Sequence, residues 1–305
     1  MTQISIPSAS ASRAVRGIYF MLLSVFLFSV MDALIKWVSA TYPVGQIIFF
    51  RNVFAFVPVF FVLRQAGGLA VLRTRHFGGH VMRGAMGLLS MVCIFGAFSL
   101  MPLGEAVALS LSAPLFVTVL SVPLLGERVG IRRWSAALVG FAGILVMTRP
   151  GTGVFHPLAF LAVGGALFYA LAVISIRRLS TADPPATIVF YFTLFAAAAG
   201  AVSLPFQWVT PDAVGLALLV GIGLLGGIAQ LALTQAFRLA PVALVAPFDY
   251  GALVFAVFFG YFVWGDVPDL FIIVGAMIVV GSGLYILHRE SRLGRLSRTG
   301  AEEPT

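Results

Sequence analysis

The sequence predicts an all-α integral membrane protein of ten transmembrane helices, arranged as two inverted five-helix repeats. Three observations predict it. The 305 residues are 60% hydrophobic and only 10% charged, with a mean hydropathy of +1.06, whereas soluble domains are about 45–50% apolar. Apolar runs near the ~20 residues needed to cross a bilayer recur from one end of the chain to the other. A short pattern also returns at a constant offset of 139 residues.

The first run, 17–38, follows Arg13 and Arg16 and precedes Ser39-Ala40, the outline of a secretory leader. It exceeds the roughly 7–15 apolar residues of a leader's central region and carries Asp32 and Lys36, so it reads as helix one. Runs 44–63, 81–100 and 106–125 follow as helices two to four, and 134–147, only 14 residues, as the fifth. Runs 158–176, 186–206, 213–237, 242–263 and 267–287 complete the set. In lipid every backbone N–H and C=O must be paired within its own segment, which makes each run a helix. The connections are short, the longest being 64–80.

Ala97-Phe98-Ser99-Leu100-Met101-Pro102 matches Ala236-Phe237-Arg238-Leu239-Ala240-Pro241, and Gly126-Glu127 matches Gly265-Asp266, both at the offset of 139. These matches divide the chain into a repeat at 1–150, a second repeat at 151–290 and a basic tail at 291–305, expected to be disordered in the cytoplasm. An odd number of crossings per unit turns the second copy upside down, the plan of many secondary transporters.

The net charge is +8, and Lys36 is the sole lysine among 19 basic residues. These residues are scattered between apolar runs and form no stripe of the kind that binds nucleic acid. With a cytoplasmic N-terminus, sixteen of the 19, Arg83 and Arg177 among them, fall on inner segments. Lys36 and Arg149 lie outside and Arg51 within helix two, a positive-inside bias that puts both termini in the cytoplasm. Trp37, Trp134, Trp208 and Trp264 all fall at span ends, where an interfacial aromatic belt forms. Cys93 is the single cysteine and the four histidines are dispersed, so no metal site, disulfide or cofactor is expected. No phosphate-binding loop or Ser/His/Asp arrangement is present, which argues against ATP-driven or enzymatic chemistry.

Ionisable residues inside spans are costly and mark function by default. Asp32 and Arg51 lie at similar depth in helices one and two. Two readings stand side by side: an ion pair that locks the helices, or a gate and substrate contact. Asp249, in Ala246-Pro247-Phe248-Asp249-Tyr250-Gly251, is the deepest acid and has no evident base, which suits proton coupling or cation recognition. Lys36 and Glu105 read as snorkelling side chains at the outer surface, and Glu127 and Asp266 as loop or cap residues. Pro102, Pro114, Pro123, Pro241 and Pro247 interrupt or precede helices four and nine, and matched interruptions in two halves point to a central site. Phe28, Phe50, Phe116, Tyr191, Phe248 and Tyr250 offer stacking surface. The candidate substrate-binding or gating set is Asp32, Arg51, Asp249, Tyr250, Phe50, Pro114 and Pro247. The pairs Gly223/Gly227 and Ala136/Gly140 read as close helix contacts.

Several local patterns together carry a resemblance. They are Phe50-Arg51, Arg83-Gly84, the stretch 102–114 followed by Gly126-Glu127, and Arg133-Trp134 with Gly140-Phe141-Ala142-Gly143. On ten duplicated spans they resemble the EamA-type drug/metabolite transporter superfamily over nearly the whole chain. Ala246-Pro247-Phe248-Asp249-Tyr250 and Gly265-Asp266-Val267-Pro268 look closest to bacterial carriers that include riboflavin and S-adenosylmethionine uptake transporters, with Asp266 where glutamate is commoner. The resemblance implies a multi-pass secondary transporter of a bacterial inner membrane that moves a small organic metabolite by alternating access. Uptake of riboflavin or a similar vitamin is the first expectation. S-adenosylmethionine uptake and export of amino acids or drug-like compounds are alternatives. The expected partners are the small-molecule substrate, the lipid bilayer and a coupled proton, while monomer and homodimer stay equally open. A membrane-embedded enzyme acting on lipid-linked substrates is the competing class, and no acid, histidine or metal cluster at a span end supports it.

Overall fold

The computed structural model describes residues 9–126, 130–148, 158–180, 182–240 and 246–299. Among the described residues the regular elements are helices, with no strand. They are α1 (Ala9–Val38), α2 (Val44–Gln65), α3 (Phe77–Leu100), α4 (Leu103–Ser110), α5 (Ala113–Leu125) and α6 (Ile131–Thr148). The second half contributes α7 (Ala159–Leu179), α8 (Pro185–Ser203), α9 (Ala213–Leu239), α10 (Gly251–Phe259) and α11 (Leu270–Thr299). Seven stretches are long and apolar enough to cross a membrane. Three shorter apolar helices, Trp134–Met147, Phe248–Trp264 and Leu270–Tyr285, sit at the fifth, ninth and tenth expected spans.

Helix starts follow local chemistry. Pro43, Pro102 and Pro184 each hold an extended ψ at the residue before α2, α4 and α8, where a missing N–H costs nothing. The Asp212 carboxylate caps α9 by accepting the Gly215 N–H at 2.8 Å. Residues 291–299, expected as the start of a disordered tail, continue α11. The expected residues Glu127, Arg128, Arg149 and Pro241 lie outside the described residues.

Two expected spans are broken. The fourth stops at Ser110 and restarts at Ala113, and the ninth enters as a 3-10 helix, Ala246–Tyr250, before α10 and a π-helical turn at Gly260–Trp264. Ser112 and Gly251, at these two breaks, are 139 residues apart, so the interruptions match under the offset read from the sequence.

The same offset reappears in backbone and packing. Gly126 and Gly265 both adopt left-handed conformations, with φ of 68° and 72°, which only glycine enters without strain. Gly84 and Gly223, again 139 apart, seat α3 against Phe195 of α8 and α9 against Phe54 of α2. Helix neighbours obey the exchange as well: α1 packs on α9 as α7 packs on α3, α2 on α9 as α8 on α3, and α1 on α10 as α7 on α5. The pairs α2–α8 and α6–α11 map onto themselves. At the α6–α11 crossing the backbones touch, because a Cβ on Gly143 would meet the Gly275 carbonyl at 2.9 Å and one on Gly275 the Gly143 carbonyl at 2.7 Å. Gly227 leaves comparable room for Ala55 and Pro58 of α2, so the expected Gly223/Gly227 contact forms between α9 and α2.

Candidate functional site

A cavity of ≈ 440 Å³ lies between the halves, lined from α1, α2, α3, α4, α7, α8, α9, the 3-10 helix before α10, and α10. That volume is within the range of small-molecule sites, about 300–1,000 Å³. Its wall is mostly apolar, with Phe28, Met31, Met91, Phe95, Phe98 and Phe192, and into it project Asp32, Arg51, Arg83, Asp249, Gln230 and Thr234.

Of the expected site residues, Asp32, Arg51 and Asp249 line this cavity. The remaining ones do not. Phe50 is buried against Phe49, Phe54 and Trp208, and Tyr250 turns its hydroxyl toward Gly283 of α11. The Pro114 carbonyl accepts from the Thr118 hydroxyl within α5, and the Pro247 side chain lies outside the described residues. Of the other aromatic residues expected to offer stacking surface, Phe28 lines the cavity, Phe116 meets Phe141 edge-on and Tyr191 lies tilted against the His80 ring.

Asp32 and Arg51 share the cavity without coming within 4 Å of each other, so the locking ion pair, one of the two readings, does not form in this structure. Arg51 instead donates through Nη1 to the Asn52 side chain at 3.0 Å, leaving its Nε without a partner. Arg83, read from the sequence as a topology marker on an inner segment, is 5% exposed inside α3. Its guanidinium sits 4.1 Å from the centroid of the Phe192 ring, with Nε and Nη1 unbonded, and Arg51 approaches the same ring at 5.8 Å. Glycine makes this stack possible: a Cβ on Gly87 would lie 2.7 Å from Phe192 and against Arg83. Gly226, 139 residues on, does the same for Arg51, whose Nε would be 3.0 Å from an added Cβ.

The sequence carried a signal for these missed groups. Ser110 is the offset partner of Asp249, and Gly87 that of Gly226, so the matched breaks and glycines identify the wall. Tyr169, Gln230 and Thr234 carried no such sign.

The two ends of the cavity differ. It reaches Arg177 and the exposed Ser180 where α7 terminates, beside the Asp183 carboxylate that binds His80 at 3.0 Å and accepts from Thr74 at 2.8 Å. At the opposite end of α3, Lys36 donates to the Met101 carbonyl at 2.9 Å and lies 3.8 Å from Asp266. It also sits 5.3 Å from the Trp264 ring, which meets Trp37 edge-on. Lys36 therefore ties three segments together instead of snorkelling, and Asp266 is its ion-pair partner.

Two matches to one family model, over residues 15–149 and 156–287, coincide with the two halves that pack by exchange. The chain belongs to the EamA-like transporter family. Relatives in it have different cargoes. The pseudopaline exporter of Pseudomonas aeruginosa is 34% identical over 87% of this chain and 93% of its own. A riboflavin transporter of Vibrio cholerae is 29% identical over 93% of this chain and 96% of its own. An S-adenosylmethionine uptake transporter of Rickettsia prowazekii is 29% identical over 90% and 94%. A solved crystal structure of a protein superposes on 92% of this chain and 98% of its own with a TM-score of 0.65 at 22% identity, a likeness of fold. Membership of the EamA-like family makes the chain a multi-pass membrane transporter of small molecules and not an enzyme.

Proposed function

We propose that the protein is a secondary carrier that moves a small organic metabolite across a bacterial inner membrane by alternating access. In this reading ten crossings form two inverted five-helix units, roughly 1–150 and 151–290, with both termini in the cytoplasm. The observation that carries it is the ≈ 440 Å³ cavity between the halves, which reaches exposed Ser180 at one end, while Lys36 ties three segments together at the opposite end of α3. A site open to one side at a time is what alternating access requires, and matched broken helices at the wall are its usual partner.

Direction does not carry over from relatives, since one is an exporter and another takes up its cargo. Riboflavin, the first expectation, would find stacking surface at Phe28, Phe95 and Phe192 but brings no charge to the five charged side chains Asp32, Arg51, Arg83, Arg177 and Asp249. A charged metabolite answers them better, as S-adenosylmethionine would. Asp249, in the cavity and without an ion pair, is the proposed proton-coupling group.

The test is uptake of a metabolite panel into proteoliposomes with and without a pH gradient. Saturable flux of one compound that responds to the gradient is expected, and Asp249→Asn is expected to transport without that response. A gradient response unchanged in Asp249→Asn removes the coupling role. Absence of saturable flux for every compound by correctly inserted protein removes the carrier reading.

A further inference from the structure

Resting on the carrier reading above, we propose that Asn52 is a positioning residue. It tethers Arg51 to α2, so that the guanidinium stays open to cargo instead of collapsing onto Asp32.

The tether begins with a contact that helix geometry disfavours. Neighbouring residues on a helix point about 100° apart and do not face each other, yet Arg51 Nη1 donates to the Asn52 side-chain oxygen at 3.0 Å. The guanidinium therefore curls around α2 to reach its neighbour. Asn52 is itself pinned, because it is fully buried and its Nδ2 donates at 2.8 Å to the Ile48 carbonyl one turn earlier. Only one orientation of the amide serves both contacts, since the flipped one sets oxygen against carbonyl and NH2 against guanidinium. Asn52 does not line the cavity, so it acts through Arg51.

What the tether resists is visible around the guanidinium. Arg83 shares the Phe192 ring with Arg51 and repels it, while Asp32 on the wall of the same cavity attracts it. The acid is not remote. A Cβ on Gly226 would lie 3.0 Å from Arg51 Nε and 2.9 Å from Met31 Sδ, so Arg51 rests beside the residue that precedes Asp32. An arginine and a carboxylate in a poorly solvated cavity form a short, often bidentate pair, but these two stay more than 4 Å apart. The neutral oxygen of Asn52 restrains the arginine without cancelling its charge. Phe190 and Tyr191 occupy the equivalent positions of the second half, 139 residues on, so the tethered charge is an addition to the shared scaffold and not a part of it.

Loss of the tether lets Arg51 pair with Asp32, and the pair must then open before cargo binds. Apparent affinity falls by the fraction of molecules that remain open.

The experiment measures thermal midpoints of the purified full-length protein in detergent for Asp32→Asn, Arg51→Gln and the double variant. Each is made in the wild-type, Asn52→Leu and Asn52→Asp backgrounds, and the cycle isolates the coupling between the two charges. That coupling is expected to be small in the wild-type background and to grow by roughly 2 °C or more in Asn52→Leu. In Asn52→Asp, which keeps an oxygen acceptor for Arg51, it is expected to stay small. A residue that merely packs α2 lowers every midpoint alike and leaves the coupling unchanged. Coupling no larger in Asn52→Leu than in the wild type, or equally large in Asn52→Asp, overturns the tether.

Proteoliposome flux of S-adenosylmethionine and of riboflavin tests the link to transport. For whichever is carried, Asn52→Leu is expected to raise the half-saturation concentration about tenfold, as for an open fraction near one in ten, with little change in maximal rate. An unchanged half-saturation concentration overturns the positioning role. Coupling that grows as expected without flux of either probe supports the tether and counts against the carrier reading. Wild-type flux with a coupling untouched by Asn52→Leu does the reverse.

Discussion

At the scale of single residues, Arg83 concentrates the physics of the site. Its charge is 5% exposed, stacked on Phe192 and short of two hydrogen bonds, an arrangement stable only because Gly87 leaves the space. Gly87→Ala is therefore expected to push the guanidinium off the ring and lower flux by roughly ten- to a hundredfold, the upper figure being the scale of a misplacement of about 1 Å. The helix itself gains propensity from alanine by about 1 kcal/mol, so thermal stability in detergent should hold while flux falls. Equal loss of both would identify Gly87 as a packing residue only. Legibility differs sharply among the site residues. Asp32, Arg51 and Asp249 were readable because a charge in an apolar run stands out. Arg83 lies near the start of its run, where a basic residue also serves topology, and only its burial separates the two roles. Phe50 and Tyr250 illustrate the opposite limit: adjacency to a charged residue says nothing about which face of a helix an aromatic ring occupies, and both turn away from the cavity.

At the scale of elements, the ends of apolar runs were legible and their interiors less so. Runs and proline positions gave α2, α3, α8 and α9 to within a few residues. The fifth span, shortest in the sequence, gains its full 18 residues in α6 by including Ile131 to Arg133 at one end and Thr148 at the other. What the sequence left hidden is how the fourth and ninth spans break, since a proline marks strain without telling whether the helix bends, stops or changes to 3-10 geometry. The breaks at Ser112 and Gly251 belong to neither neighbouring proline directly but to the repeat they share. Element packing also makes a prediction away from the cavity. The α6–α11 crossing depends on backbone contact at Gly143 and Gly275, and Gly275→Val would drive side-chain carbon into the Gly143 carbonyl. A loss of about 1–3 kcal/mol is expected for such overpacking, visible as a lower midpoint in a detergent unfolding series. An unchanged midpoint would mean that the two helices separate without cost.

At the scale of the whole molecule, the duplication explains why the protein has two differently built ends. Exchange of the halves relates the helices but not the side chains that fasten them, so His80, Thr74 and Asp183 hold one end where Lys36, Asp266 and the Met101 carbonyl hold the other. In the carrier reading, a cavity open near the exposed Ser180 and closed toward the Lys36 fastening has an electrical consequence. Ions follow solvent to its floor, so most of the transmembrane voltage falls across the thin sealed layer instead of across the full bilayer. Any net charge passing that layer works against, or is driven by, about 2.3 kcal/mol per 100 mV. A metabolite without net charge makes the transport cycle electrically silent unless Asp249 carries a proton across with it. Wild-type flux is then expected to respond to an imposed potassium diffusion potential, and Asp249→Asn to ignore it. A variant still driven by voltage would assign the moving charge to another group, and a wild type indifferent to it would make the transport cycle electroneutral and remove Asp249 as a carrier of net charge.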